Sequence, residues 1–370
     1  MVMKFADGFD SYSGTAGPLL RGYVYNTENS TRIAINTTGG RNGGGALELK
    51  DATANQIDLR PYASAPSSGN TFCFGFWIKS DTKPASNTYF CCVAREALGD
   101  TIQVPGAALN GGCHFGLNSA GFMTVGDFSA NSATLTDPLA WSNTSLCDGE
   151  WHWVEIAVVN SSTTGLCSVY IDGVQEIDIS GDFKNGSGTS ETDKIVFGNA
   201  TTLQGSLLID DLIIYDDDTS SAGLDYAGDF PIGPVEIEQI VPNAAGSNSD
   251  WTSSGGTNYT VVDEAVTNGD FDYVESTGSA QTDTYAFGNL TRTPSSIKSV
   301  AVSVTARNNT GASASYKAVA LSGESTTEGA TVTPGTTYSV SQTEFINDPD
   351  TATAWTESGI NAAEFGVDSQ

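Results

Sequence analysis

Apolar and polar positions alternate along most of the chain, in short runs separated by turns rich in Gly, Asn, Asp and Pro. The run TFCFGFWIKS, which begins at Thr71, places large apolar residues at every second position. A period of two predicts a strand with one apolar face. Because no stretch shows a sustained period of 3.6, the sequence predicts an all-β protein built from two antiparallel β-sandwiches. The apolar positions of this run are Phe72, Phe74, Phe76 and Ile78.

The spacing of strands and turns divides the chain into two parts. Residues 1–230 are predicted to form the larger β-domain, and residues 249–370 a smaller β-sandwich. The segment between them, 231–248, holds three prolines followed by small polar residues, and is predicted to be a linker. Within the first domain, Asp172-Gly173 lies between two β-rich runs and predicts a tight hairpin.

One strand of the first domain carries two carboxylates inside an apolar run. In GSLLIDDLIIYDDD, strict alternation places Asp211 with Leu207 and Tyr215 on one face and Asp210 on the other. A carboxylate buried without a partner costs several kcal/mol. At least one of the two is therefore predicted to be hydrogen-bonded, paired or bound to a metal.

Composition and charge narrow the function classes. The 370 residues include 41 Gly and carry a net charge of -29, from 44 acidic and 15 basic residues. Such a surface repels phosphate backbones, so nucleic-acid binding is not expected. No run is long and apolar enough to predict a membrane span, and no secretory leader is visible. Without a leader, the six cysteines are expected to be reduced thiols.

Four motifs occur in an order that resembles a known family: FADGFD near Phe5, WHWV at Trp151, YIDG at Tyr170 and IDDLIIYD at Ile209. They resemble the laminin-G-like, concanavalin A-like jelly roll over about residues 5–217. The resemblance implies a two-sheet antiparallel sandwich, commonly a binding module for glycans. It also implies a calcium ion, held by acidic residues of the entry strand and of the IDD strand. The matching positions are Asp7, Asp10, Asp210 and Asp211. Hydrogen bonds from backbone amides are the alternative.

The whole chain also resembles structural proteins of tailed bacteriophages, most distinctively in the ending DPDTATAWTESGINAAEFGV, from Asp348. This second resemblance implies a non-enzymatic virion protein, such as a head fibre, capsid decoration protein or tail adhesin. Its implied location is the virion, and its implied partners are capsid or tail subunits and host-surface glycans. A homo-oligomer is expected, with a trimer favoured. A bacterial glycan-binding adhesin is the alternative function.

Two further kinds of residue bear on carbohydrate chemistry. Aromatic rings that could stack on sugars are Trp141, Trp151, Trp153 and Tyr89, although core packing is the default for such residues. Glu176 and Asp178 share one strand face, as two carboxylates of a family-16-like glycosidase would. The third position of that pattern holds Ser180, so a solvated strand is favoured over catalysis.

Overall fold

The computed structural model describes residues 2–12, 23–26, 33–50, 55–59, 71–94, 112–126, 138–159, 161, 163, 165–181, 183, 194–199, 203, 205–216, 230–310 and 314–370. The regular secondary structure of this part of the chain is almost entirely β-strand, which confirms the predicted all-β fold class. It forms two compact units, Met1–Ile237 and Glu238–Gln370. None of its helices is long and apolar enough to cross a membrane.

The first unit contains fifteen strands in the described residues. In chain order they are β1 (Val2–Asp7), β2 (Tyr23–Asn26), β3 (Ile33–Asn36), β4 (Ala46–Leu49), β5 (Asn55–Leu59), β6 (Thr71–Lys79), β7 (Thr88–Ala94), β8 (Gly112–Leu117), β9 (Phe122–Gly126), β10 (Pro138–Ser145), β11 (His152–Val159), β12 (Gly165–Ile171), β13 (Val174–Gly181), β14 (Lys194–Asn199) and β15 (Leu207–Asp216).

These strands form two antiparallel sheets that face each other across one core. Sheet I has the order β13-β12-β11-β6-β15-β4-β3, with β1 also paired to β15. Sheet II has the order β10-β9-β8-β7-β14-β5-β2. The inner faces of both sheets supply one cluster of buried aliphatic and aromatic side chains, including all four apolar residues predicted for β6. The first sandwich is therefore organised by the alternation that its sequence shows.

The predicted hairpin at Asp172-Gly173 joins β12 to β13. Asp172 has φ +52° and Gly173 has φ +81°, the left-handed conformations that a two-residue turn of this kind needs. The strands that leave the turn stay paired through Gly165 and Gly181. This local prediction from the sequence is confirmed.

The second unit is built around a five-stranded antiparallel sheet and a separate two-stranded ribbon. Its strands are β16 (Pro242–Ser249), β17 (Thr252–Ser253), β18 (Val274–Glu275), β19 (Thr282–Phe287), β20 (Val300–Ala306), β21 (Tyr316–Ser322), β22 (Ser325–Glu328), β23 (Ser339–Phe345) and β24 (Glu364–Ser369). The sheet has the order β16-β19-β24-β21-β22, and the ribbon pairs β20 with β23. Helix α1 (Glu357–Ala362) begins after Thr356, whose side chain caps it.

The core of the second unit lies between this sheet and the ribbon. Trp355 is 3% exposed, packs against Phe365 and donates its indole N–H to the Phe345 carbonyl at 2.8 Å. Val300, Val302 and Val304 of β20 pack against the same cluster. The second unit is thus a smaller sandwich in which Trp355 contacts both the sheet and the ribbon.

The residues predicted to be a linker, 231–248, have two different structural roles. Residues 230–237 pack against the outer face of sheet I in the first unit, through Phe230, Ile232, Val235 and Ile237. From Pro242 the chain forms β16, which pairs with β19 in the second unit. Small polar residues form this strand although their own β-propensity is low, because pairing with a neighbour decides the outcome.

Candidate functional site

The outer face of sheet II carries a row of side chains that crosses four neighbouring strands. Trp141 of β10 lies opposite Thr124 of β9, Thr124 lies opposite Gly116 of β8, and Gly116 lies opposite Tyr89 of β7. Directly opposed residues of an antiparallel pair share a face. The alternate residues of β8 and β9, such as Phe115 and Val125, belong to the core between the sheets. We call Trp141, Thr124, Gly116 and Tyr89 the sheet II row.

A bulge in β7 allows Tyr89 to join this row. The register shifts between Tyr89 and Cys91, so that Phe90 and Cys91 both enter the core while Tyr89 and Cys92 lie on the outer face. The Tyr89 ring then lies 4.9 Å from the His114 ring, centroid to centroid. Tyr89 is 2% exposed and His114 is fully buried. Two side chains that can transfer protons are thus held together on one sheet face.

Gly116 makes room for this arrangement. A Cβ at this position would lie 2.4 Å from the Thr88 carbonyl oxygen and 3.2 Å from Cδ1 of Tyr89. Only a residue without a side chain fits under the Tyr89 ring. The packing of the sheet II row therefore requires glycine at position 116.

Trp141 is the exposed end of the row. It is 37% exposed, and Leu139, two residues earlier on the same edge strand, is 49% exposed. Three strand spacings separate β10 from β7, a distance of about 14 Å. The row therefore runs from an exposed indole at the edge of the sheet to a buried phenol and imidazole further in.

The structure separates the four aromatic residues that the sequence proposed for sugar stacking. Trp141 and Tyr89 share the sheet II row, whereas Trp153 lies fully buried on the outer face of sheet I. Trp151 lies just before β11 and is half-buried. His114, which the sequence gave no reason to group with these aromatics, lies beside Tyr89. The printed sequence hides this grouping because it depends on the β7 bulge.

Trp153 lies beneath residues 230–237, which we call the strap. Its indole N–H donates to Oε2 of Glu155 at 3.1 Å, and the missing side chain of Gly75 leaves space for its ring. Glu155 is fully buried and accepts three further donors, the hydroxyl of Tyr215 and the backbone N–H groups of Ile232 and Gly233. This carboxylate fixes the strap to sheet I, since each of its oxygens is saturated by buried donors.

The predicted alternation in the Asp210-Asp211 strand is wrong, because a bulge interrupts it. Asp211 has φ +49°, and the pairing of β15 with β6 shifts register between Asp210 and Ile213. After the bulge the faces exchange, so Leu212 and Ile214 enter the core, and Ile213 and Tyr215 lie on the outer face. A one-residue insertion reverses every later side chain. Both carboxylates therefore lie outside the main core.

Hydrogen-bond donors occupy the oxygens of both carboxylates. Asp210 accepts the N–H of Arg41 at 2.7 Å and that of Asp211 at 2.8 Å. Asp211 accepts the N–H of the strap residue Ile237 at 2.8 Å and the Arg41 guanidinium at 3.0 Å. Arg41 also reaches Glu236 of the strap and stacks 4.4 Å from the Trp77 ring centroid. Arg41 thus joins three parts of the chain that the sequence did not connect.

Burial dominates the ionisation of this pair. It raises the pKa of Asp210 to about 7, helped by the neighbouring Asp211 charge and opposed by the N–H groups of Arg41 and Asp211. It raises the pKa of Asp211 to about 6, while the Ile237 N–H and Arg41 lower it. Both shifts point to carboxylates that are desolvated more strongly than they are compensated.

The entry-strand carboxylates are also hydrogen-bonded. Asp7 accepts the N–H of Phe9 at 2.8 Å and the hydroxyl of Tyr12 at 2.5 Å, and Asp10 accepts the N–H of Gly45 at 2.7 Å. Calcium prefers six to eight oxygen ligands. These N–H and guanidinium donors do not fit such a shell. Among the described residues, no group of three or more Asp, Glu, His or Cys side chains could hold a metal ion. Calcium binding stays a prediction that chelation can test.

The glycosidase candidates have partners that explain them without catalysis. Glu176 accepts hydrogen bonds from the backbone N–H and the hydroxyl of Thr144, and so ties edge strand β13 of sheet I to edge strand β10 of sheet II. Asp178 accepts the Ser168 hydroxyl at 2.9 Å. His152 lies between Asp172 at 2.7 Å and Asp148 at 3.1 Å. These polar residues close the edge of the sandwich.

Comparison with known proteins supports the jelly-roll assignment. Residues 51–223 match the Laminin_G_3 family model, described as the concanavalin A-like lectin/glucanases superfamily. The first unit therefore carries a laminin-G-like jelly-roll domain. No curated protein sequence matches the chain.

Solved structures with a similar fold have low sequence identity. The PL-14 alginate lyase from Aplysia kurodai is 9% identical with a TM-score of 0.45, over 58% of this chain and 99% of the lyase. The endo-β-1,4-glucuronan lyase from Trichoderma reesei is 15% identical with a TM-score of 0.38, over 53% and 91%. The cellulose induced protein Cip1 is 15% identical with a TM-score of 0.37, over 57% and 96%.

These findings correct two predictions made from the sequence. The predictions of a virion structural protein and of a non-enzymatic protein are wrong, since the family model that matches residues 51–223 is one of lectins and glucanases. The phage resemblance rested on a short terminal motif, of which the Trp355 segment has a sufficient explanation in the core of the second unit. A short motif that packs a core indicates a fold and not a biological context.

Proposed function

We propose that the first unit binds a neutral polysaccharide on the outer face of sheet II. The observation that carries this proposal is exposed Trp141 at the edge of the sheet II row, whose other members are buried behind it, within the residues that match the lectin and glucanase family. Behind the exposed indole, the row places the hydroxyl groups of Thr124 and Tyr89 on the same rigid sheet. This is the mixture of apolar surface and a few placed polar groups that small-molecule and sugar sites use.

The net negative charge of the chain favours a neutral polysaccharide over an anionic one as the ligand. A net charge of -29 repels a polyanion such as alginate, and binding a polyanion needs clustered Lys or Arg. The sheet II row contains neither Lys nor Arg. A neutral glycan has no such requirement, because stacking and hydrogen bonds supply its binding energy. We therefore expect a glucan-like ligand and not a polyuronate.

Binding can be measured directly with soluble polysaccharides. The probes are a β-1,4-glucan, a β-1,3-glucan and alginate, with affinities from calorimetry on the full chain. Trp141→Ala should weaken binding of the favoured neutral glucan at least about fivefold, since an aromatic contact contributes about 1 kcal/mol. Trp151→Ala is the matched control and should bind as the wild type does, because Trp151 lies outside the row. Tighter binding of alginate, or equal binding by both variants, would refute the proposal.

A further inference from the structure

The ribbon formed by β20 and β23 in the second unit has one edge, that of β20, which differs from the edges of β16, β22 and β23. Strand β20 (Val300–Ala306) pairs with β23 through seven consecutive residue pairs, from Val300↔Phe345 to Ala306↔Ser339, without a register shift. Neither strand pairs with a third strand among the described residues. The far edge of β20 therefore presents a regular, uninterrupted row of backbone groups.

The two edge strands of the five-stranded sheet, β16 and β22, carry features that prevent pairing with another strand. Strand β16 begins with Pro242 and pairs with β19 through two register shifts. Strand β22 has only four residues and ends at Glu328, which forms an ion pair with Lys317. Proline, bulges, short length and charge are the devices by which natural sheets avoid edge-to-edge association.

Strand β23 is protected as well. It contains Glu344, and the carbonyl of its last residue, Phe345, already accepts the Trp355 indole N–H. Strand β20 has none of these features. Its sequence, VAVSVTA, contains no charge, proline or glycine over all seven residues. Each of these residues is half-buried, and Val300, Val302 and Val304 pack against the core of the second unit.

We propose that β20 is a self-association edge, and that its partner is β20 of a second copy of this chain. Two copies of β20 placed antiparallel about a twofold axis would extend the two-stranded ribbon to four strands. Centred on Ser303, the pairing sets Val302 opposite Val304 and Val300 opposite Ala306. Valines of both copies then share the face that packs on the core of each second unit.

When two copies of this chain associate, electrostatic repulsion between them favours contact at the β20 edge over contact elsewhere on their surfaces. Two chains that each carry -29 repel across most of their surfaces. An uncharged strand allows the copies to meet where repulsion is smallest, and main-chain hydrogen bonds need no complementary side chains. A second copy fits this edge because the twofold arrangement sets only small or apolar, uncharged residues opposite one another.

The full chain tests this proposal by light scattering after size exclusion, over a range of concentrations. We expect a concentration-dependent dimer. Ser303→Lys would place two ammonium groups side by side at the axis, and should raise the dimer dissociation constant at least about tenfold. Thr326→Lys adds the same charge to the exposed edge strand β22 and is the matched control, with a dimer as stable as the wild type.

Folding of each variant is checked by circular dichroism and cooperative melting. Should Ser303→Lys fail to fold, Thr305→Lys, two residues along the same face, replaces it. A monomer at every concentration, a trimer, or a dimer that resists both β20 variants would overturn the assignment. Protection of β20 amides from hydrogen exchange at high protein concentration would support it independently.

Discussion

The carboxylate of Glu155 accepts the backbone N–H of Ile232 at 2.7 Å, and this contact joins a buried strand to a segment 77 residues further along the chain. Glu155 lies on the outer face of sheet I, and the strap covers that face. The strap also packs Ile232 and Val235 on this face and accepts the Trp77 indole N–H at 2.7 Å. The first unit therefore ends at Ile237, beyond its last strand.

Glu155→Gln should destabilise the first unit by about 2–4 kcal/mol. The amide N–H groups of glutamine would face the N–H and O–H groups whose hydrogen bonds the carboxylate now accepts, so donors would meet donors. Urea unfolding of the full chain, followed by tryptophan fluorescence, measures this change. Glu150→Gln, on an exposed position before β11, should change the free energy of unfolding by less than about 0.5 kcal/mol. Equal effects of the two variants would show that the strap contact is not stabilising.

Arg41→Ala should destabilise the chain more at pH 8 than at pH 5. The folded-state pKa of Asp211 is about 6, above its ordinary value of 3.8, so this carboxyl favours the folded state at low pH and loses that contribution as pH rises through 6. Removing the guanidinium raises this pKa further. We expect a loss of about 2 kcal/mol at pH 8 and less than half of that at pH 5.

Arg41→Lys is the matched control for this pH dependence. It keeps the positive charge beside Asp211 and loses the two-nitrogen contact and the stacking on Trp77. Its free energy of unfolding should therefore fall by a similar amount at both pH values. A pH-independent effect of Arg41→Ala would refute the electrostatic role assigned to this residue.

Chelation should leave the melting temperature unchanged. All six carboxylate oxygens of Asp7, Asp210 and Asp211 accept protein hydrogen-bond donors, so little remains to coordinate a cation. Thermal melts in excess EDTA and in millimolar CaCl₂ test this. A bound ion stabilises by mass action, so a melting temperature that rises with calcium and falls in Asp10→Asn would restore the calcium site implied by the family resemblance.

The sequence predicted those features that depend on side-chain pattern. The apolar face of β6 and the Asp172-Gly173 hairpin follow directly from alternation and turn chemistry. The sequence also predicted that at least one carboxylate of the Asp210-Asp211 pair is hydrogen-bonded, paired or metal-bound, and Asp211 accepts the Ile237 N–H and the Arg41 guanidinium. What these features have in common is that residue type alone specifies them.

The sequence did not reveal features made by the backbone. The bulges at Asp211 and beside Tyr89 decide which side chains share a face, and no residue type in the sequence indicates that a bulge occurs there. The strap binds Glu155 through backbone N–H groups. Because every non-proline residue carries such a group, the amino-acid sequence of the strap does not indicate this contact. The sheet II row was missed because the register shift beside Tyr89 decides which side chains of β7 share a face with Trp141.

Glu344 gives the second unit a pH-sensitive element of its own. Its Oε1 is buried without a hydrogen-bond partner, while its Oε2 accepts the Ser299 hydroxyl. Burial raises the pKa of this carboxyl from 4.5 to about 7, and the Ser299 hydrogen bond only partly opposes it. The group therefore favours folding below pH 4.5, and this contribution is lost as pH rises through 7.

Glu344→Gln should stabilise the second unit by about 2 kcal/mol at pH 8, where the wild type buries an ionised and incompletely paired carboxylate. At pH 4 the two proteins should be equally stable, because both side chains are then neutral. Urea unfolding at the two pH values measures the difference, and Glu324→Gln, at an exposed turn position, supplies the control for loss of one surface charge. Stabilisation of equal size at both pH values would mean that packing, and not ionisation, separates Glu344 from glutamine.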